Sequence, residues 1–119
     1  MILDFKSLRK DKRVPALYLP TEYHTVQLLL EGEEHTARVM NASLRGFGLV
    51  VQLPEERFIL KTRIVVKPLG TAHFIHAEIA FKRGLTSKLT RIGLFLLETS
   101  GFEDYQESIR KILADHPEL

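Results

Sequence analysis

Two short polar stretches hold the residues whose types and spacing could do chemistry. The first is "RKDKR", residues 9–13, in which Arg9 and Arg13 stand four apart. In an extended chain their backbones lie roughly 13 Å apart and their side chains project to the same side. That spacing suits gripping the two ends of one medium-sized anion. The second is Asn41-Ala42-Ser43-Leu44-Arg45-Gly46, at the start of the hydrophobic run "GFGLVVQL". It offers an amide, a hydroxyl, a guanidinium and a position without Cβ within six residues. Each stretch alone also has a plain reading. Asn, Ser and Gly are turn formers where two strands must be joined, and terminal charge runs are commonly solvated.

Other chemistry finds little support. A nucleophile elbow wants glycine two residues before its serine, and Asn41 stands there. Asn41-Ala42-Ser43 is a glycosylation sequon, but the N-terminus lacks the apolar core of a secretory signal. The chain has no cysteine, so disulfides, thiolate metal sites and thiol nucleophiles are excluded. His73 and His76 are three apart in a strand-like run and face opposite sides, a poor start for a metal site. No metal motif, phosphate loop or acid–base pair is evident, so no catalytic residue, metal or cofactor is expected and the protein is read as a non-enzyme.

The 119 residues fit one domain. The net charge is only +2, yet residues 1–13 carry five basic side chains against two acidic ones. The remainder holds 12 basic and 13 acidic side chains. A basic arm on a near-neutral body suggests an anionic partner at one place, not a face lying along nucleic acid. No aromatic ladder for stacking bases stands out either. No apolar run approaches a membrane span, so a cytoplasmic protein without membrane insertion is expected.

The elements that must position these residues are mostly strands. Residues 1–22 read as an irregular basic arm, with a short strand near "ALYL". Six strand-like runs follow: "HTVQLLLE", "HTARVMN", "GFGLVVQL", "RIVVKPL", "AHFIHAEIAFKR" and "RIGLFLLE". Short links make them antiparallel. In the fifth run, alternation puts Ile75, Ala77, Ile79 and Phe81 on one apolar face. From about residue 101 to 115 the period changes. Phe102, Tyr105, Ile109, Ile112 and Leu113 recur at helical spacing, Ser100 and Glu103 form a capping box, and Pro117 ends the helix. The expected division is an arm over 1–22 and, over 23–119, a mainly β, six-stranded antiparallel barrel with a C-terminal helix.

Together the two polar stretches resemble the signature of the PilZ domain family. That family is marked by R-x-x-x-R in an N-terminal arm, followed by [D/N]-x-S-x-x-G entering a strand of a six-stranded barrel. Arg9 to Arg13 and Asn41 to Gly46 match both elements in order, and "RIGLFLL" followed by a helix is similar to the family's end. The resemblance implies a PilZ-type barrel that binds the bacterial second messenger cyclic di-GMP. It implies ligand contacts from Arg9, Arg13, Asn41, Ser43 and Gly46. Arginine can pair bidentately with guanine O6 and N7 or with phosphate, and can stack on a base. On this reading ligand draws the arm onto the barrel, and an unidentified protein of motility, polysaccharide or virulence machinery reads the change. Arg38 and Arg91 could line the site or merely sit on a strand face. A protein-interaction barrel indifferent to nucleotides is the main alternative, and a small nucleic-acid-binding barrel a further one. Homodimerisation through barrel edges or the terminal helix stays open.

Overall fold

The computed structural model describes residues 12–69, 74–97 and 102–119. Arg9, His73 and Ser100 lie outside them, as do residues 1–11 of the basic arm. The barrel begins with a hairpin. Strands β2 (Thr25–Leu30) and β3 (Glu33–Ser43) are joined by Glu31 and Gly32, whose φ angles are +53° and +81°. Two left-handed residues form the kind of turn whose twist matches that of the flanking strands.

Five more strands complete the sheet: β1 (Val14–Pro15), β4 (Gly46–Val51), β5 (Arg63–Pro68), β6 (Ile75–Thr86) and β7 (Leu89–Leu96). Every pairing is antiparallel. The order β3-β2-β5-β6-β7-β4 closes through a β3–β4 pairing, so β2 to β7 form a closed six-stranded barrel. The two-residue β1 pairs with β3 next to Asn41 and Ala42. Inward residues of every barrel strand, among them Val26, Leu28, Phe47, Leu49, Ile79 and Ile92, are fully buried. Closure leaves none of these six strands as an edge.

The helix α1 (Phe102–Asp115) matches the expected period and ends before Pro117. Phe102, Tyr105 and Ile109 form its buried stripe. The stripe packs on the β3–β4 turn and on residues 14–23, where Tyr105 meets the rings of Tyr23 and Phe47 at centroid distances of 5.5 and 4.8 Å.

Two details differ from the sequence reading. The strand expected near "ALYL" is a single 3-10 turn, Ala16–Tyr18, because Pro15 and Pro20 lack the N–H groups a ladder needs. Only Val14 and Pro15 are paired. In β6, Phe81 leaves the apolar face assigned to it. A register shift between Ile79 and Phe81 inserts Ala80 as an extra residue, and a bulge reverses the alternation beyond it. Phe81 is 44% exposed, while Lys82 turns in and donates from Nζ to the Phe58 carbonyl at 2.8 Å.

Candidate functional site

A second bulge lies in β3. Pairing runs from Val39–Leu49 to Asn41–Gly48 and skips Met40. Ala37 and Val39 point inward, so uninterrupted alternation would bury Asn41. The bulge turns Asn41 to the outer face and Ala42 to the core. The two bulges thus aim Asn41 and Phe81 onto the same outer surface. Between them runs one row of partners: Asn41 with Gly48, Gly48 with Gly93, and Gly93 with Phe81.

The two glycines form the floor of that row. A Cβ on Gly48 would stand 2.8 Å from Asn41 Oδ1, and one on Gly93 would stand 3.1 Å from Phe81 Cδ1. The flanking side chains occupy the space that larger residues would fill. Above the floor lie two hollows of about 190 and 180 Å³, which share Arg13, Phe81 and Gly93 as walls. Ser43, Arg45 and Gly46 line the first, and Asn41 and Arg91 the second. Through these shared walls they form one groove.

β1 brings Arg13 to this groove. Pro15 pairs with Asn41, and Arg13 Nη1 donates to Asn41 Oδ1 at 3.3 Å. The 27 residues between Arg13 and Asn41 are taken up by β1, two 3-10 turns and the β2–β3 hairpin. Arg13 is therefore held against the barrel by β1 itself, and any drawing-in of the arm applies to Arg9 and its neighbours.

The turn carrying Ser43 and Gly46 is held from beneath. The Tyr105 hydroxyl donates to the carbonyls of Ser43 at 2.6 Å and Gly46 at 3.0 Å. Gln106 Nε2 donates to the Leu44 carbonyl at 2.9 Å, and Arg45 gives its own carbonyl to Leu96 N–H at 2.9 Å. The Arg45 guanidinium lies 5.9 Å from the ring centres of Phe95 and Phe102, within cation–π range. Ser43 is 2% exposed and Gly46 is buried, while Arg45 at the tip of the turn is exposed, so the two ends of this turn are packed.

Burial pushes the Tyr105 phenol above its ordinary value of 10.0, against a downward pull from Arg13. Burial also raises Tyr23. A phenol that keeps its proton in the folded chain but loses it in the unfolded chain leaves stability intact below pH 10. Above that, the folded state binds more protons, so stability falls as pH rises, by up to ~1.4 kcal/mol per pH unit for each such group. Urea unfolding from pH 8 upward is expected to show this decline, and a shallower one in Tyr105→Phe. Identical slopes in both proteins would contradict it.

Of the residues singled out in the sequence, Arg13, Asn41, Ser43 and Gly46 meet at this groove. Arg9 lies outside the described residues. Arg91 lines the groove, whereas Arg38 faces a separate hollow of about 480 Å³ with Thr25, Thr36 and Gln52. Gly48, Gly93 and Phe81 were not anticipated. Among the described residues no group of three or more His, Asp or Glu side chains is placed to hold a metal. No helix among them is long and apolar enough to cross a membrane.

No family model matches the sequence, and no curated protein matches it. Solved structures do. The chain is similar to the PilZ domain, with c-di-GMP, of YcgR from Escherichia coli, with a TM-score of 0.60 over 92% of this chain and 95% of that one, at 15% identity. The fold is that of a PilZ domain. The PilZ-type barrel is also similar to the Bacillus subtilis inhibitor of motility MotI/DgrA, with a TM-score of 0.58 at 15% identity over 92% of this chain. This chain spans 52% of the length of that protein.

Proposed function

We propose that this protein binds cyclic di-GMP in the groove between Arg13, Asn41 and Phe81, and acts as a sensor and adaptor that catalyses nothing. The observation that carries the reading is the convergence of Arg13, Asn41, Ser43 and Gly46 on one groove. Arg13 is distant in sequence from the Asn41–Gly46 stretch, and the β1–β3 pairing brings the two together. The PilZ fold supports it, since one structure of that fold contains c-di-GMP.

The roles follow from the groups. The Arg13 guanidinium pairs with a phosphate or with guanine O6 and N7. The Asn41 amide and the Ser43 hydroxyl reach a base edge or a phosphate. Gly46 lets the ligand approach the backbone. Arg9, four residues before Arg13, supplies a second guanidinium. Four or five charge-assisted contacts at roughly 1.5–3 kcal/mol each suffice for micromolar binding after ordering costs. Ligand then changes the surface around the arm, and a downstream protein in the cytoplasm reads it. Motility machinery is one candidate class, since one similar protein is named an inhibitor of motility.

Calorimetric titration with cyclic di-GMP, with GTP as control, tests this. Selective binding at micromolar affinity or tighter is expected. Arg13→Ala, Arg9→Ala and Ser43→Ala should each weaken it about tenfold or more, the loss of one charge-assisted contact. A folded protein that takes up no cyclic di-GMP would overturn the reading and favour a barrel that works through protein contacts.

A further inference from the structure

Two residues along the strands from the Asn41–Gly48–Gly93–Phe81 row lies a second outward row. Arg38 pairs with Val50, Val50 with Arg91, and Arg91 with Arg83. Three guanidinium-bearing residues therefore sit on four adjacent strands, with one valine among them. Arg91 and Arg83 are directly opposite each other across the β6–β7 ladder, where neighbouring strands are only about 4.8 Å apart. Like charges directly opposite destabilise a sheet. None of the ion pairs among the described residues relieves them, since these involve His35, Arg57, Arg110 and His116. The Glu55 carboxylate lies beside Gly84, the neighbour of Arg83. Arg91 lines the groove and Arg83 stands opposite it on the next strand; a repulsive pair in that position is explained if an anion settles against the two charges.

Resting on the cyclic di-GMP reading above, we propose that Arg91, which lines the groove with Arg83 opposite it on β6, holds a phosphate of the dinucleotide across from Arg13. The ligand carries two phosphodiesters, and beside Arg45 at the turn the groove is lined by Arg13 and Arg91. Arg13 reaches it from β1, and Arg91 reaches it from β7 across the Gly48–Gly93 floor. The flat glycine floor lets the body of the ligand lie between them. A guanidinium holds phosphate through two parallel N–H donors, which an ammonium cannot reproduce. Arg38 lies beyond Val50 on another hollow and serves as a charge-matched control outside the groove.

The experiment is calorimetric titration of cyclic di-GMP into wild type, Arg13→Ala, Arg91→Ala, Arg91→Lys, Arg83→Ala and Arg38→Ala at two salt concentrations. Each variant's melting temperature is measured alongside. Expected results are a loss of about tenfold or more in Arg91→Ala and partial recovery in Arg91→Lys. Arg83→Ala should lose less, and Arg38→Ala should stay within about twofold of wild type. The salt dependence of binding should be shallower in Arg91→Ala, since fewer charges meet the ligand. If Arg13→Ala loses binding while Arg91→Ala and Arg83→Ala match wild type, this inference is wrong and the cyclic di-GMP reading stands. If Arg38→Ala weakens binding as much as Arg91→Ala, the effect is one of net charge and the inference also falls. If wild type binds nothing, both fall together.

Discussion

Tyr105→Ala is expected to destabilise the fold by about 3–5 kcal/mol, the usual range for deleting a large aromatic from a core. In a domain of this size that lowers the melting temperature by roughly 12–20 °C. Tyr105 is fully buried. Its ring is the contact between α1 and the aromatic pair Tyr23 and Phe47. Its single hydroxyl proton is shared between two carbonyls of the β3–β4 turn, Ser43 at 2.6 Å and Gly46 at 3.0 Å. Tyr105→Phe separates the two contributions. It keeps the ring and removes the donor, so about 1–3 kcal/mol should be lost through the stranded carbonyls alone. Urea unfolding followed by circular dichroism measures both. A Tyr105→Phe protein as stable as wild type would mean that the turn draws no support from the hydroxyl.

Gly46→Val is expected to be the most damaging change within the signature stretch. A Cβ at this position would lie 2.8 Å from the Leu94 carbonyl oxygen. That oxygen belongs to a strand paired on both sides, so it cannot swing away as a flexible side chain would. The same Cβ would point toward Ser43 Oγ and Arg13 Nη1, at 3.6 and 3.7 Å. Overpacking of this kind typically costs about 1–3 kcal/mol, and here the added bulk also fills the groove. The melting temperature should fall and cyclic di-GMP binding should be lost, whereas Gly32→Ala, at the distant hairpin tip, should leave binding unchanged. Gly46→Val with unaltered stability and affinity would refute the close approach.

The strand runs and the terminal helix were legible because each buries one face, and a periodic apolar pattern is what such burial writes into a sequence. The pairing of Arg13 with Asn41 was legible as chemistry but not as geometry. Nothing local in "RVPAL" tells a two-residue strand from an irregular arm. Phe81 was misplaced for a related reason. Its strand alternates without interruption on paper, and the bulge at Ala80 leaves no residue signal of its own. The signal lay on the partner strand. Gly93, in a run otherwise built from large apolar residues, marks a place where a neighbour must lie across the backbone. The same holds for Gly48 beneath Asn41. Arg91 and Arg83 could not be joined before the β6–β7 register was known, since eight positions separate them in sequence.

The two-residue pairing of Val14 and Pro15 with β3 has a consequence for Arg9. Whatever path residues 9–12 take, covalent geometry limits the Cα of Arg9 to about 14 Å from that of Arg13, which stands at the rim of the groove. On the proposed reading of the groove, Arg9 is in effect a tethered reagent, held by the chain within that distance of Arg13. Its local concentration there is on the order of millimolar or above, far beyond what a freely diffusing guanidinium would reach. Binding of cyclic di-GMP as proposed would then capture Arg9 at little cost in translational entropy, because a few residues of pairing at the barrel rim make that second contact an intramolecular one.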